Sequence, residues 1–118
     1  MARFRGWGRS FRYAGRGLGL LFVTQPNARI HLLATLAAVL GGLWAKLSVF
    51  EWMVLTLTVT AVIVAEALNT AVEFLADAVM PERHPLIKKS KDIAAGAVLL
   101  TAVTASVVGI MLFGPRLW

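Results

Sequence analysis

The chain has 118 residues, 58% of them hydrophobic, and a mean hydropathy of +0.75. A soluble domain of this length needs polar residues on the outer face of every helix, yet residues 93–113 carry no formal charge. The composition therefore indicates an integral membrane protein. Cysteine is absent, which excludes a disulfide framework and a thiolate metal site.

The charge balance is strongly basic, with twelve Lys and Arg against six acidic residues and a net charge of +6. Such an excess suits nucleic acid, acidic substrates or anionic lipid headgroups. In so apolar a chain, lipid and phosphate are favoured, and we expect no nucleic-acid partner. The N-terminus lacks a signal-peptide pattern, so we expect the first hydrophobic helix to direct membrane insertion.

Residues 3–23 predict an amphipathic helix that lies in the membrane interface. At about 100° per residue, basic side chains fall on one face and apolar side chains on another. The basic face contains Arg5, Arg9, Arg12 and Arg16, and the apolar face contains Phe4, Trp7, Phe11, Leu18 and Phe22. Several glycines weaken the helix, so a disordered basic arm is the alternative.

Three hydrophobic segments follow, and we expect each to span the membrane as a helix. They are residues 28–47, 50–80 and 86–113. The second is roughly 45 Å long, which exceeds the hydrocarbon thickness of about 30 Å. Its charged C-terminal half should therefore protrude toward one interface. The whole chain, residues 1–118, is predicted to form a single all-α membrane domain.

The segments between the predicted helices carry helix-start residues. Thr24 and Asn27 can cap a helix, and Pro26 is tolerated in a first turn. Pro81 and Pro85 bracket the loop before the third span. Small residues on the first and third spans suit close helix packing. These residues are Gly41, Gly42, Gly96, Ala102, Ser106 and Gly109.

Positive charges are distributed unevenly along the chain. They crowd the N-terminal arm and the loop between the second and third spans, whereas the loop between the first two spans has only Lys46. By the positive-inside rule, the N-terminus and the second loop are cytoplasmic, and the C-terminus with Arg116 is outside. We therefore expect a multi-pass protein of the bacterial cytoplasmic membrane.

The segment AEALNTAVEFLADAV, residues 65–79, concentrates acidic side chains on a predicted helix. Glu66, Asn69, Glu73 and Asp77 fall within an arc of about 80°, and we call this set the acidic stripe. Mg²⁺ and neighbouring basic residues are the cations expected among such carboxylates at a membrane edge. A solvated helix face is the alternative, and it is strongest for Asp77. Glu66 follows an apolar stretch near the membrane boundary, where it is placed to take a proton from an alcohol.

Basic residues gather in KKSKDIAAG, where Lys91 and Asp92 are predicted to open the third span. A helix N-terminus with a lysine favours phosphate; the alternative is that these lysines only set topology and contact lipid headgroups. Together with the acidic stripe, they predict nucleotide phosphoryl transfer to a lipid. The chain lacks a P-loop motif. His31 and His84 have no zinc-ligand spacing, and we expect His84 to cap or border the loop.

These residues resemble the small prokaryotic integral-membrane lipid kinases, the diacylglycerol kinase and undecaprenol kinase family. The likeness covers nearly the whole chain and includes N-x-R-I-H at residues 27–31, E-x-x-N-[ST]-A-x-E at 66–73 and K-D at 91–92. The resemblance implies a homotrimer of three-span protomers with an interfacial helix and active sites shared between subunits. It also implies Mg²⁺, ATP as co-substrate and direct in-line transfer of the γ-phosphoryl group to a lipid hydroxyl.

The resemblance assigns roles to individual residues. Glu66 would take the proton from the lipid hydroxyl, and Glu73 would bind Mg²⁺. Asn69 would help orient the site, and Arg29 matches a basic position near it. The nucleotide would contact Arg9, Tyr13, Asp77, Lys91 and Asp92.

One position departs from the family pattern. The family usually has a glutamate that shares metal binding with the counterpart of Glu73, and alignment through N-x-R-I-H places Gln25 there. A glutamine oxygen still accepts a metal or a water, but the substitution removes one negative charge from the site. Weaker metal binding, altered substrate preference and loss of activity are the possible consequences.

The leading prediction is an ATP-dependent undecaprenol kinase, because the forms NTAVE and KDIAAGAV are more similar to that branch of the family. A diacylglycerol kinase is the first alternative. A catalytically impaired binding or scaffold protein with the same fold is the second. A small cation channel lined by the acidic stripe is the third, but it needs a polar face on more than one span, which the first and third spans do not offer.

Overall fold

The computed structural model describes the backbone of residues 2–117 and the side chains of residues 6–117. Phe4 and Arg5 of the predicted amphipathic faces therefore lie outside the described side chains. The described residues fold into four helices: α1 (Ala2–Thr24), α2 (Pro26–Ala45), α3 (Val49–Val79) and α4 (Pro85–Leu117). By length and composition, α2, α3 and α4 can each cross a membrane. The predicted all-α architecture with three long apolar spans is confirmed.

A single residue, Gln25, separates α1 from α2. Its backbone is extended, with φ −113° and ψ 108°, and Pro26 opens α2 as expected. No side chain caps this helix start. The Thr24 hydroxyl donates instead to the Leu20 carbonyl at 2.8 Å, within α1. The predicted capping role of Thr24 is wrong, because α1 continues through that residue and provides its hydroxyl with a partner.

The Arg29 side chain closes the C-terminal end of α1. Its Nη1 donates to the carbonyls of Phe22 at 3.0 Å and Val23 at 2.9 Å. The last carbonyls of a helix lack intrahelical partners and carry partial negative charge, so a guanidinium satisfies and neutralises them. Because Arg29 lies in the first turn of α2, it fastens α1 to α2.

A tight connection joins α2 to α3. α2 ends at Ala45, before the predicted limit of residue 47, because Lys46 adopts the left-handed conformation with φ 54° and ψ 57°. α3 follows with a complete capping box: the Ser48 hydroxyl accepts from the Glu51 N–H, and the Glu51 carboxylate accepts from the Ser48 N–H. The reciprocal bonds fix the direction in which α3 starts.

An ion pair joins the start of α3 to the end of α4. Nη2 of Arg116 lies 3.0 Å from each carboxylate oxygen of Glu51, and Nη1 of Arg116 donates to the Leu112 carbonyl. α4 continues through Pro115 to Leu117, beyond the predicted limit of residue 113. The ion pair stabilises this additional turn, so one carboxylate both caps α3 and holds α4.

The core of the protomer is small and lies near this same end. Leu47, Leu55 and Leu112 form a buried cluster, against which Trp52 and Phe113 pack. Most of the large apolar side chains on the spans are exposed on the protomer. In a membrane, lipid tails and neighbouring helices cover such side chains, and association depends on packing and polar contacts.

Gly42 marks a close approach of α2 to the start of α3. A Cβ at this position would lie 2.6 Å from Cη2 of Trp52 and 3.0 Å from Cδ1 of Leu47. At Gly96 and Gly109 on α4, a Cβ would meet no heavy atom within 4 Å. Within the chain, a small residue is therefore required at Gly42 and not at Gly96 or Gly109.

We expect Gly42→Ala to lower the thermal stability of the detergent-solubilised protein. Overpacking of this kind typically costs about 1–3 kcal/mol, because the Trp52 ring and the Leu47 side chain must shift to admit the added methyl group. Gly17→Ala is the matched control, because it brings the same gain in helix propensity at an exposed position without a neighbour within 4 Å. Equal melting temperatures for the two variants would contradict the packing argument.

We expect Arg29→Gln to loosen the junction of α1 and α2. Loss of the charged bonds to Phe22 and Val23 should accelerate hydrogen exchange at the backbone amides of residues 18–24 by about tenfold. The measurement is hydrogen–deuterium exchange in lipid nanodiscs. Arg83→Gln, in the exposed loop between α3 and α4, should leave this exchange unchanged. Protection that is identical in Arg29→Gln and wild type would show that the guanidinium does not hold α1.

Candidate active site

The acidic stripe of α3 runs from a buried end to an exposed end. Glu66 is 3% exposed, Asn69 and Glu73 are partly buried, and the Asp77 side chain is 64% exposed. Along the helix axis, Glu66 lies about 10 Å from Glu73 and about 16 Å from Asp77. The stripe can therefore contact an apolar molecule at one end and a water-soluble one at the other.

The length of α3 sets the depth of Glu66. Glu66 lies about 26 Å along the axis from Val49, the first residue of the helix. The hydrocarbon core of a bilayer is about 30 Å thick, so a span that begins at one surface carries Glu66 close to the other. The boundary position of Glu66 stays a prediction, which the length of α3 permits.

His31 of α2 approaches the buried Glu66 carboxylate. Its Nε2 lies 3.2 Å from Oε1 of Glu66, and its side chain is 24% exposed. This approach is not a hydrogen bond, because Oε1 has no hydrogen-bond partner among the described residues. Sequence reasoning missed this contact and weighed His31 only as a zinc ligand. The one available signal was the position of His31 within N-x-R-I-H.

Three buried polar atoms of this region make no hydrogen bond with the described residues. They are Oε1 of Glu66, Oδ1 of Asn69 and Oγ1 of Thr70. A buried polar atom left unpaired costs about 1–3 kcal/mol. Thr70 was not predicted, although it lies one turn after Glu66. These atoms together provide a polar surface that fits a hydroxyl or another polar group from outside the protomer.

The exposed end of the stripe is paired with α4. Nζ of Lys91 donates to Oδ1 of Asp77 at 2.9 Å, which links the two helices. Within α4, Nζ of Lys88 donates to Oδ2 of Asp92 at 2.7 Å. Lys91 and Asp92 line an open cleft of about 860 Å³ beside the loop between α3 and α4. The structure thus brings together two of the predicted nucleotide-binding residues, Asp77 and Lys91.

The start of α4 differs from the predicted arrangement. The helix begins at Pro85, so Lys91 and Asp92 lie about two turns inside it and do not open the span. His84 caps the helix as expected, since its Nδ1 accepts from the Leu86 N–H at 3.1 Å. A phosphate at this position would therefore meet the Lys91 side chain, and not the free backbone amides of a helix start.

The predicted nucleotide-binding residues of α1 lie on another surface. Arg9 and Tyr13 are exposed and line a shallow groove of about 410 Å³ together with Arg12 and Arg16. This groove and the cleft beside Lys91 share no lining residue. Within one protomer, the candidate nucleotide contacts are thus divided between two surfaces.

The donor set suits a metal ion that arrives with a nucleotide. Residues 6–117 contain no group of three or more His, Asp or Glu side chains placed to hold a metal. Mg²⁺ commonly binds one or two carboxylates, several waters and the phosphates of its substrate. Glu73 supplies a carboxylate. Gln25 supplies an amide oxygen, while its Nε2 donates to the Thr24 hydroxyl at 3.3 Å.

Comparison with known proteins gives one consistent family. A sequence profile of prokaryotic diacylglycerol kinase matches residues 12–113. The undecaprenol kinase of Bacillus subtilis (strain 168) is 38% identical over 109 residues, which cover 92% of this chain and 89% of that protein.

Two diacylglycerol kinases are also similar. That of Synechocystis sp. is 42% identical over 92% of this chain, which spans only 62% of that protein. That of Escherichia coli (strain K12) is 29% identical over 79% of this chain and 76% of its own length. Because the profile covers most of the chain, this multi-pass membrane protein belongs to the prokaryotic diacylglycerol kinase family of lipid kinases, which are ATP-dependent phosphotransferases.

Proposed function

We propose that this protein transfers the γ-phosphate of ATP to the hydroxyl group of undecaprenol. The observation that carries the proposal is that Glu66, a buried carboxylate, begins a stripe on α3 that ends at the exposed Asp77–Lys91 pair. The similarity to an undecaprenol kinase over 92% of the chain supports this lipid. Diacylglycerol is the second candidate, because the Synechocystis relative at 42% identity is a diacylglycerol kinase.

The lipid hydroxyl would react next to Glu66. Glu66 takes the hydroxyl proton as the lipid oxygen attacks the γ-phosphorus, and the bond to the β-phosphate oxygen breaks, so that ADP leaves with the electron pair. Asn69 would orient the hydroxyl through its buried, unpaired Oδ1. Catalysis then depends on positioning and charge neutralisation, without a phosphoenzyme.

The nucleotide would lie at the polar end of the stripe. Lys91 would exchange its bond to Asp77 for a phosphate oxygen, and Asp77 and Asp92 would contact the nucleotide. Arg9 and Tyr13 would reach it from the groove on α1.

The metal and the remaining basic residue complete the proposed site. Glu73 would hold Mg²⁺, with Gln25 as a second oxygen donor, and the ion supplies positive charge against the phosphates when it is bound. Arg29 would act by holding α1, and with it Arg9 and Tyr13, in place.

We further propose a homotrimer with active sites shared between subunits. The support is the unpaired buried atoms of the stripe, the exposed apolar faces of the spans and the division of nucleotide contacts between two surfaces. In the proposed orientation, α1 lies in the cytoplasmic interface of the bacterial cytoplasmic membrane. The loop between α3 and α4 is cytoplasmic, and the C-terminal end with Arg116 is outside.

The direct test measures phosphate transfer from labelled ATP to undecaprenol and to diacylglycerol in nanodiscs with Mg²⁺. We expect phosphorylated undecaprenol from the wild type and a loss of about 10²–10⁴-fold in Glu66→Gln, because general-base catalysis contributes that much. Lys46→Gln, at the exposed connection between α2 and α3, should retain activity.

Several outcomes of this test would change the assignment. Preference for diacylglycerol would transfer the function to the second candidate. Failure of the wild type to phosphorylate either lipid would favour the binding or scaffold alternative. Full activity in Glu66→Gln would remove Glu66 from the role of base.

The presence of Gln25 where the family usually has a glutamate predicts how the kinase activity depends on the Mg²⁺ concentration. A carboxylate here adds a negatively charged ligand, so we expect Gln25→Glu to lower the Mg²⁺ concentration that gives half-maximal kinase activity by about tenfold, a change of about 1.4 kcal/mol. Asn27→Asp adds the same charge nearby and controls for a general electrostatic effect. An unchanged Mg²⁺ dependence in Gln25→Glu would show that residue 25 does not contact the ion.

A further inference from the structure

We propose that His31 is a positioning residue for phosphoryl transfer, whose imidazole lies beside the Glu66 carboxylate and takes from it the proton that Glu66 has taken from the lipid. This inference rests on the proposed function, because it requires Glu66 to act as the base. It concerns a residue of α2 that belongs to neither the proposed metal site nor the proposed nucleotide site.

The contact joins a buried group to a partly exposed one. Nε2 of His31 lies 3.2 Å from Oε1 of Glu66; the His31 side chain is 24% exposed, against 4% for the Glu66 side chain. Burial of a carboxylate is costly unless a partner compensates it. Of the ionisable side chains in the described part of the chain, His31 is the one within 4.0 Å of Glu66.

The reaction deposits one proton on Glu66 in every turnover. A carboxyl group open to water would release it directly, but Glu66 is buried. The next carboxylate of the stripe, Glu73, is about 10 Å away along the helix. Asn69 and Thr70 lie closer in sequence but are not bases. A neutral imidazole accepts protons readily near neutral pH, and the His31 side chain, unlike that of Glu66, is partly exposed at the surface of the chain.

In the proposed reaction, every bond that breaks is matched by a bond that forms, and the proton reaches water. The lipid O–H bond breaks and its proton passes to Glu66, while the lipid O–P bond forms and ADP leaves with the electrons of the broken P–O bond. The Glu66 proton then passes to Nε2 of His31, and the resulting imidazolium releases a proton to water. Lipid alcohol and ATP thus give lipid phosphate, ADP and one proton, and both side chains return to their starting states.

The other charged groups of the neighbouring helices are engaged elsewhere. Arg29, on the same helix as His31, donates to the carbonyls of α1. On α4, Lys91 pairs with Asp77, and Lys88 pairs with Asp92. Because only the neutral imidazole accepts a proton, activity that depends on His31 must fall as the pH drops and the ring becomes charged.

The test combines His31→Gln, His31→Ala and added imidazole, measured as kinase activity in nanodiscs from about pH 5.5 to pH 8.5. We expect His31→Gln to lower kcat by about 100-fold with little change in the KM for ATP. The activity of this variant should no longer fall at low pH as that of the wild type does. Free imidazole should restore part of the activity of His31→Ala. Lys46→Gln, an exposed change at the connection between α2 and α3, should behave as wild type and should not respond to imidazole.

The outcomes separate this proposal from the proposed function. One outcome is that Glu66→Gln is inactive while His31→Gln keeps both the wild-type kcat and the wild-type loss of activity at low pH. In that case Glu66 remains the base and the proposed role of His31 is overturned. If Glu66→Gln is fully active, the assigned base itself fails. A His31→Ala protein that is folded but inactive, and that imidazole does not rescue, would reduce His31 to a structural contact.

Discussion

The length of α3 is the constraint on which the candidate site depends. A helix of 31 residues is about 46 Å long, and the hydrocarbon core that it crosses is only about 30 Å thick. The excess forces one continuous helix to pass from lipid into water. Because the acidic stripe occupies the part of α3 where this transition occurs, a single rigid element would carry both the proposed base, the buried Glu66, and the exposed Asp77 that is proposed to contact the nucleotide.

The contacts that set the positions of the helices lie mainly at the other end of the protomer. There Glu51 caps α3 and pairs with Arg116 of α4, while Gly42 lets α2 approach Trp52. These interactions fix the register of the three spans at a distance from the chemistry. The end that carries the acidic stripe is left polar and only partly packed, as a site that admits a lipid and a nucleotide requires.

The sequence predicted features that depend on local patterns. Hydropathy predicted the three spans, and helical periodicity predicted the acidic stripe from Glu66 to Asp77. Contacts between helices were missed, because they depend on rotation and register, which one sequence does not define. The approach of His31 to Glu66 and the bonds from Arg29 to α1 belong to this class. Lys91 was placed at a helix start because Pro85 was read as a loop residue, whereas it is the first residue of α4.

The Asp77–Lys91 ion pair would affect the step that follows phosphoryl transfer, in which ADP leaves. An exposed ion pair contributes only about 0–1 kcal/mol, so Lys91 can leave Asp77 for a phosphate at little cost. When ADP departs, the ammonium group has a carboxylate 2.9 Å away to receive it. Asp77 would thus serve as an internal substitute for the phosphate, which keeps Lys91 in place between turnovers and lowers the barrier to product release.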